Sequence, residues 1–359
     1  MADFTLTLDS LFGSEKIMGA VINRIEAENQ DQIKWKDYLS FSSTDARDWK
    51  VAYGAETGIT VGSVIDRNSN KPLRERKVIS SGYLSVMTIG DRWQLNNDNL
   101  EKLAGKVGEF NKVIGDIAKN AVLNEIIEIL VRDYKEAVLA PHKRMDLLLG
   151  QLRSNGQGVI DETTNPEGIK VKDLKLPVKR FKADATAKKN FINFFNEEVV
   201  GKGSFSNVAV MEMNKKTFSN IISLSEEFKD VYLNVLGGSK VGLSGGLMSE
   251  AMANELFAHF GLPLIKIIDD YVTLPGNKRI NVFEDDRIAL LPSTNLGYLR
   301  YYKPLEAKDR VPNKTYNLLE GDHLISSQRT DEGRFVEYIA EWMPEFYNPS
   351  THGVIELIK

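Results

Sequence analysis

Ten residues, Gly237–Gly246 (GGSKVGLSGG), have the composition of a loop that could wrap a phosphate. A phosphate loop ends in Gly-Lys-Ser/Thr, which sets a lysine at a helix N-terminus for the β- and γ-phosphates. That ending is missing here, so the segment reads as a glycine-rich loop. The four histidines, His142, His259, His323 and His352, have no metal-ligand spacing to one another, and no two lie at i, i+4. His259, before Phe260 and Gly261, reads as the basic end of a helix, favoured by the dipole. Carboxylates pair at Glu197-Glu198, Glu226-Glu227, Asp269-Asp270 and Asp285-Asp286. Neighbours on a strand point to opposite faces, so these pairs form no ready acid/base dyad and read as solvated charge or ion pairs. There is no Gly-x-Ser-x-Gly elbow and no His-Glu-x-x-His helix. No catalytic residue, cofactor site or metal site is assigned.

With catalysis unsupported, the bulk properties bound the class. A chain of 359 residues is longer than most single cores and points to two or three lobes. Hydrophobic residues at 42% and charged residues at 27% are ordinary for a folded protein. The absence of cysteine removes a disulfide scaffold, a thiol nucleophile and any thiolate zinc site. The start MADFTLTLDS has no cationic region followed by an apolar one and does not read as a signal peptide, and no apolar run approaches the ~20 residues that span a bilayer. The net charge is −4, with Lys and Arg scattered among Asp and Glu and no polybasic arm. General nucleic-acid affinity comes from clustered positive charge, so it is not expected.

The elements follow from periodicity. Ser14 caps a helix over Glu15–Glu28 whose stripe is Ile17, Met18, Val21, Ile22 and Ile25. That stripe would pack on its own domain or on another subunit. Thr57–Trp93 reads as a long hairpin. Ile59, Val61 and Ile65 share one face, Asp66–Pro72 is turn-like, and Leu73-Arg74-Glu75-Arg76-Lys77 is strongly charged. A two-stranded hairpin is marginal in water, so an apolar base with a charged tip needs another surface to lie on. From Asn97 the period becomes helical and runs to Pro141, with bending or a break near Gly105, Gly108 or Gly115. A second helix, His142–Arg153, stops at Asn155-Gly156. A helix over TAKKNFINFFNEEVV has Phe191, Phe194, Phe195 and Val199 as its face. Strand, helix, helix and strand then make an α/β lobe over about 205–275, and the tail returns to strands at INVF, RIALLP, GYLRYY and GVIELIK. Aromatic residues on both faces of GYLRYY point to packing on both sides.

The order of these stretches resembles the major capsid proteins of tailed bacteriophages, and more specifically the lambda-type capsid protein E family. The resemblance rests on HKRMDLLLGQLRSNGQGVID (142–161), NVAVMEMNKKTFSNI (207–221) and the longest stretch, 253–307. In the last, Phe283-Glu284-Asp285-Asp286-Arg287, Leu290-Leu291-Pro292 and Leu296-Gly297-Tyr298 match the family pattern. The tail after Ala307 and the turn in YVTLPGNKRI are longer than the family leads one to expect.

The resemblance implies an α+β chain with the HK-ninety-seven-like capsid fold. It would comprise an N-terminal arm (1–45), an extended loop (46–94), a peripheral domain with a spine helix (95–204 and 291–359) and an axial domain (205–290). It implies pentamers and hexamers of this one chain tiling an icosahedral head around double-stranded DNA. Portal, a separately encoded scaffold and a decoration protein would be partners, with no membrane and no cofactor. Asp66, Arg67, Lys71, Arg74, Arg76 and Lys77 at the loop tip would contact a neighbouring subunit. Some relatives crosslink a loop lysine to an asparagine, and Lys71 and Lys77 are the lysines on this hairpin after its start. Gly237, Gly238, Gly245 and Gly246 would lie at the ring centre. Two other readings stand beside this one: an encapsulin-like nanocompartment shell, and an α/β enzyme binding a phosphorylated small molecule through Gly237–Gly246.

Overall fold

The computed structural model describes residues 5–52, 81–95, 97–203, 205, 207–235 and 247–358. The chain opens with α1 (Leu8–Gly13) and α2 (Glu15–Asn29). Thr7 and Ser10 form a capping box on α1, and the Ser14 hydroxyl accepts from the Ile17 amide at α2. Met18, Val21, Ile22 and Ile25 are buried within their own chain, so the stripe needs no other subunit to cover it. Four strands follow: β1 (Leu39–Ser43), β2 (Asp48–Ala52), β3 (Ser81–Ser85) and β4 (Met87–Leu95).

The helical region breaks at Gly115, one of the three glycines the sequence offers, and departs from the sequence reading at Pro141. Helix α3 (Asn97–Lys112) ends before Gly115, whose φ of +101° is open to glycine and costly for other residues. Helix α4 (Asp116–Asn155) then runs 40 residues, about 60 Å, through Pro141. The sequence reading expects a helix up to Pro141 and a new one from His142. A proline inside a helix removes one hydrogen bond and crowds the carbonyl four residues back, at ~3 kcal/mol. Here the turns on both sides are buried through Ala137, Val138, Met145 and Leu148, and that packing holds the helix together. Gly156, at φ +64°, ends it where the sequence predicts.

Next come β5 (Gln157–Ile160), β6 (Val171–Lys175), β7 (Lys179–Ala183), α5 (Ala185–Lys189) and α6 (Phe191–Phe194). Asn190 interrupts the single helix expected here, and Phe195–Lys202 continues in wider π-helical turns. Phe191, Phe195 and Val199, spaced by four, are buried as the pattern requires. Then follow β8 (Val210–Met213), α7 (Lys215–Phe218), α8 (Glu226–Val235), α9 (Glu250–His259), β9 (Leu264–Ile267), β10 (Tyr271–Leu274), β11 (Lys278–Asn281) and β12 (Arg287–Leu291). The last elements are β13 (Gly297–Tyr302), α10 (Leu305–Lys308), β14 (Lys314–Leu318), β15 (Leu324–Thr330), β16 (Gly333–Phe346) and β17 (Gly353–Leu357). Strands β14 to β16 fall in a stretch to which the sequence reading assigns none.

By contact the chain divides into two compact units. The first draws on residues 1–49, 84–146 and 297–345, the second on 50–83, 147–296 and 346–359. The first is built on the sheet β1-β13-β16-β15-β14, with β4 also paired to β16. Its core includes Trp35, Tyr134, Leu299, Val336 and Trp342. The second is built on the sheet β7-β17-β12-β8-β9. Strands β8 and β9 are parallel and joined through α7, α8 and α9, the α/β lobe that the sequence predicts. Its core packs Phe191, Phe195, Phe228, Phe257, Met211 and Ile288. Among the described residues, no helix is long and apolar enough to cross a membrane.

Candidate assembly site

Asp66, Arg67, Lys71, Arg74, Arg76 and Lys77 lie outside the described residues, as do Ile59, Val61 and Ile65 and Gly237, Gly238, Gly245 and Gly246. What the structure describes is the root of the hairpin. Strands β2 and β3 pair with each other, and the Val86 amide donates to the Arg47 carbonyl at 2.9 Å. Strand β4 runs antiparallel to β16 over nine residue pairs, from Met87 opposite Trp342 to Leu95 opposite Arg334.

Polar anchors fix this root. The Trp49 indole donates to Glu345 at 2.6 Å, and Arg300 grips the same carboxylate with two nitrogens at 3.0 and 3.1 Å. Arg47 pairs with the buried Glu341 at 3.1 Å and donates to Thr88 at 3.0 Å. Arg92 pairs with Glu337 at 3.1 Å and lies over the Phe335 ring at 3.8 Å; Lys314 shares Glu337. The Tyr338 hydroxyl donates to Asp91 at 2.6 Å, and the Trp93 and Tyr338 rings stack at 5.6 Å. Burial first, and the Asp91 carboxylate second, raise the Tyr338 hydroxyl well above the usual range, so it stays a donor. Gly90 is required by close approach: a Cβ there would meet the Tyr338 carbonyl at 2.8 Å.

In the second unit, the helices flanking residues 236–246 are held by side chains. Ser249 caps α9, and the Met248 amide donates to the Ser223 carbonyl at 3.2 Å. The outer edge of β9 is closed by α9. Asn254 accepts from the Ile265 amide at 2.7 Å and donates to its carbonyl at 3.0 Å, while Glu250 accepts from Ile267 at 3.4 Å. Glu227 accepts the Phe191 amide at 2.7 Å, and burial is the main cause of its raised pKa.

The residues weighed for chemistry are distributed across packing roles. His142 and His323 sit in the first core between Trp35 and Trp342. The Trp35 indole donates to His142 Nδ1 at 3.1 Å, and the Trp35 amide donates to Asp146 at 2.8 Å. His323 is fully buried, and neither ring nitrogen has a well-formed hydrogen bond. The nearby Ala137 carbonyl, which Pro141 deprives of its helical donor, slightly favours the protonated ring. Burial outweighs it and holds His323 down at about 3. His142 is held well below the usual value by burial, then by His323, Lys36 and Lys143. Burial holds His352 at about 4. His259 lies in the last turn of α9. Asp285 bonds Asn214 at 2.6 Å and pairs with Lys216 at 2.5 Å. Among the described residues, no group of His, Asp and Glu could hold a metal ion.

Two features escape a sequence reading. Arg153 and Glu212 form a buried ion pair, with Lys266 at 4.0 Å from the carboxylate; nothing in their spacing signals it. Ile114 and Ile117, which fit the helical period that starts at Asn97, are 95% and 90% exposed beside the Gly115 break.

No family model matches this sequence, and no curated protein matches it. Solved structures do match. A protein of an Escherichia coli CFT073 prophage, assigned as its capsid protein, superposes with a TM-score of 0.52 at 12% identity. The match covers 96% of this chain and 99% of that one. The capsid of Myoviridae phage XM1 matches with a TM-score of 0.42 at 13% identity, covering 90% and 91%. The cyanophage A-1(L) capsid matches with 0.40 at 10%, covering 99% and 95%. The prophage match defines the class: this chain has the α+β HK-ninety-seven-like capsid fold.

Proposed function

We propose that this protein is the shell subunit of a tailed-phage head, with no catalytic role. The observation that supports it most is the end-to-end match of the fold to the prophage protein, 96% of one chain against 99% of the other. That match favours a phage shell over a cellular nanocompartment. In this reading copies join head to tail into closed rings of five and six, and the rings tile an icosahedral shell around double-stranded DNA. Portal, a separate scaffold and a decoration protein are the partners that follow from it.

The hairpin gives this reading its mechanism. Its root is tied to β16 by Asp91, Arg92 and Trp93. The tip residues Asp66–Lys77 lie across the next subunit, where Arg74, Arg76 and Lys77 meet acidic groups that set register more than affinity. Gly237–Gly246 lies at the ring centre. The domains are an arm (1–45), extended loop (46–94), peripheral domain (95–204 and 291–359) and axial domain (205–290).

Negative-stain microscopy of the purified protein tests the reading. Regular shells or rings are expected, and lone monomers at high concentration overturn it. Deleting Asn68–Arg76 is expected to leave a folded monomer that builds no shells. Normal shells from that deletion would remove the tip from the assembly contact.

A further inference from the structure

Averaged over the whole chain, the basic residues are scattered, but one stretch is different. Residues 170–189 hold eight Lys or Arg against two Asp, a net of +6 in a chain whose net charge is −4. The stretch forms β6, β7 and α5, all in the second unit. Lys170, Lys175, Lys179, Arg180, Lys182 and Lys189 are exposed, and Lys188 is half-buried.

The local bonding leaves much of this charge in place. Arg180 pairs with Glu356 at 2.5 Å. Lys170, Lys179 and Lys188 instead donate to the carbonyl oxygens of Asn165, Gly203 and Ile358 at 2.9, 3.0 and 2.7 Å. A carbonyl orients an ammonium group without cancelling its charge. Of the nearby acids, Asp184 is engaged as the cap of α5, accepting the Thr186 and Ala187 amides. Glu198 is paired with Lys202, and Glu197 and Glu198 share a cleft with Arg180 and Lys182. The positive charge therefore dominates the strand and the short helix but not the cleft floor. The stretch also lacks a stacking platform. Its one aromatic residue, Phe181, is half-buried against Phe205. Proteins that grip single strands stack bases on exposed rings. Lysines without rings suit the phosphate backbone of a duplex, where each neutralised phosphate releases counterions.

We propose that the exposed basic side chains of β6, β7 and α5 bind the phosphate backbone of double-stranded DNA without regard to sequence. This rests on the shell reading, in which the enclosed genome is the polyanion at hand. The test is fluorescence anisotropy of the full chain with a random-sequence 30-base-pair duplex. If about four phosphates are neutralised, affinity falls by about 100-fold between 50 and 200 mM salt. The triple variant Lys170→Glu, Lys182→Glu, Lys189→Glu is expected to lose at least about tenfold in affinity at 50 mM salt, with unchanged circular dichroism. A control variant, Lys16→Glu, Lys102→Glu, Lys278→Glu, carries the same charge change elsewhere and is expected to bind nearly as wild type. No duplex binding at 50 mM salt overturns the proposal, as does equal loss in both variants. Binding of poly-glutamate with none of the duplex also overturns it, and assigns the surface to an acidic protein segment. Microscopy of the same preparations separates the two readings: shells that ignore DNA remove this inference alone, whereas DNA binding without shells removes the shell.

Discussion

Each unit holds one deeply buried polar cluster, and the two clusters differ in kind. The first places two neutral imidazoles among indole rings, and the Trp35 hydrogen bond to His142 Nδ1 exists only while that nitrogen keeps its lone pair. The second buries a full ion pair, Arg153 with Glu212, in a core otherwise built from phenylalanines and aliphatic residues. A neutral polar group and a paired charge fail differently. The first is broken by adding a proton, the second by removing a partner. One chain thus carries two cores with separate weak points.

Removing one partner of the buried pair is the sharper break. Arg153→Met is expected to cost about 3–5 kcal/mol, because Glu212 then keeps a buried charge without its guanidinium partner. Urea unfolding measures it. Arg153→Met with Glu212→Leu is expected to recover most of that loss, and a double variant as unstable as the single one refutes the comparison.

Acid tests the other core. His142 and His323 are neutral when folded and protonate near 6.5 when unfolded. Their folded values lie lower, so the unfolded chain binds more protons as pH falls below 6.5. Stability is therefore full above about pH 6.5 and is lost on going down toward the folded values. Each histidine costs about 1.4 kcal/mol per pH unit in that window, or about 2 kcal/mol from pH 6.5 to 5. Tryptophan fluorescence should report the first unit, where Trp35 and Trp342 line the cluster. His323→Leu should flatten the slope by one proton, and an unchanged slope rules out His323 as a source. His352 adds a similar but separate term in the second unit. The smallest effect belongs to the hairpin root. Tyr338→Phe removes the bond to Asp91 and is expected to cost about 1 kcal/mol without loss of fold, read from the thermal midpoint.

The α/β lobe was legible because its signals are local. Strand β8 is a short apolar run, Asn214 caps the next helix, and β9 follows a glycine stop at Gly261. The Ser14 cap and the Met18–Ile25 stripe were legible for the same reason. The long helix was misread at Pro141 because proline signals a local cost, while the burial that outweighs it comes from residues distant in sequence. Strand β16 was readable in principle: Val336, Tyr338, Ala340 and Trp342 alternate with Glu337, Ile339 and Glu341 and are all buried. The Arg153–Glu212 pair was not, since 59 residues separate its members.

The Asn254 side chain imitates one more strand along Ile265. A bare sheet border recruits other sheets without limit and leads toward fibres. With that border satisfied from within, a concentrated solution of this protein has no backbone template for endless growth along β9. Particles that must stop at a fixed size need such a stop as much as they need their contacts.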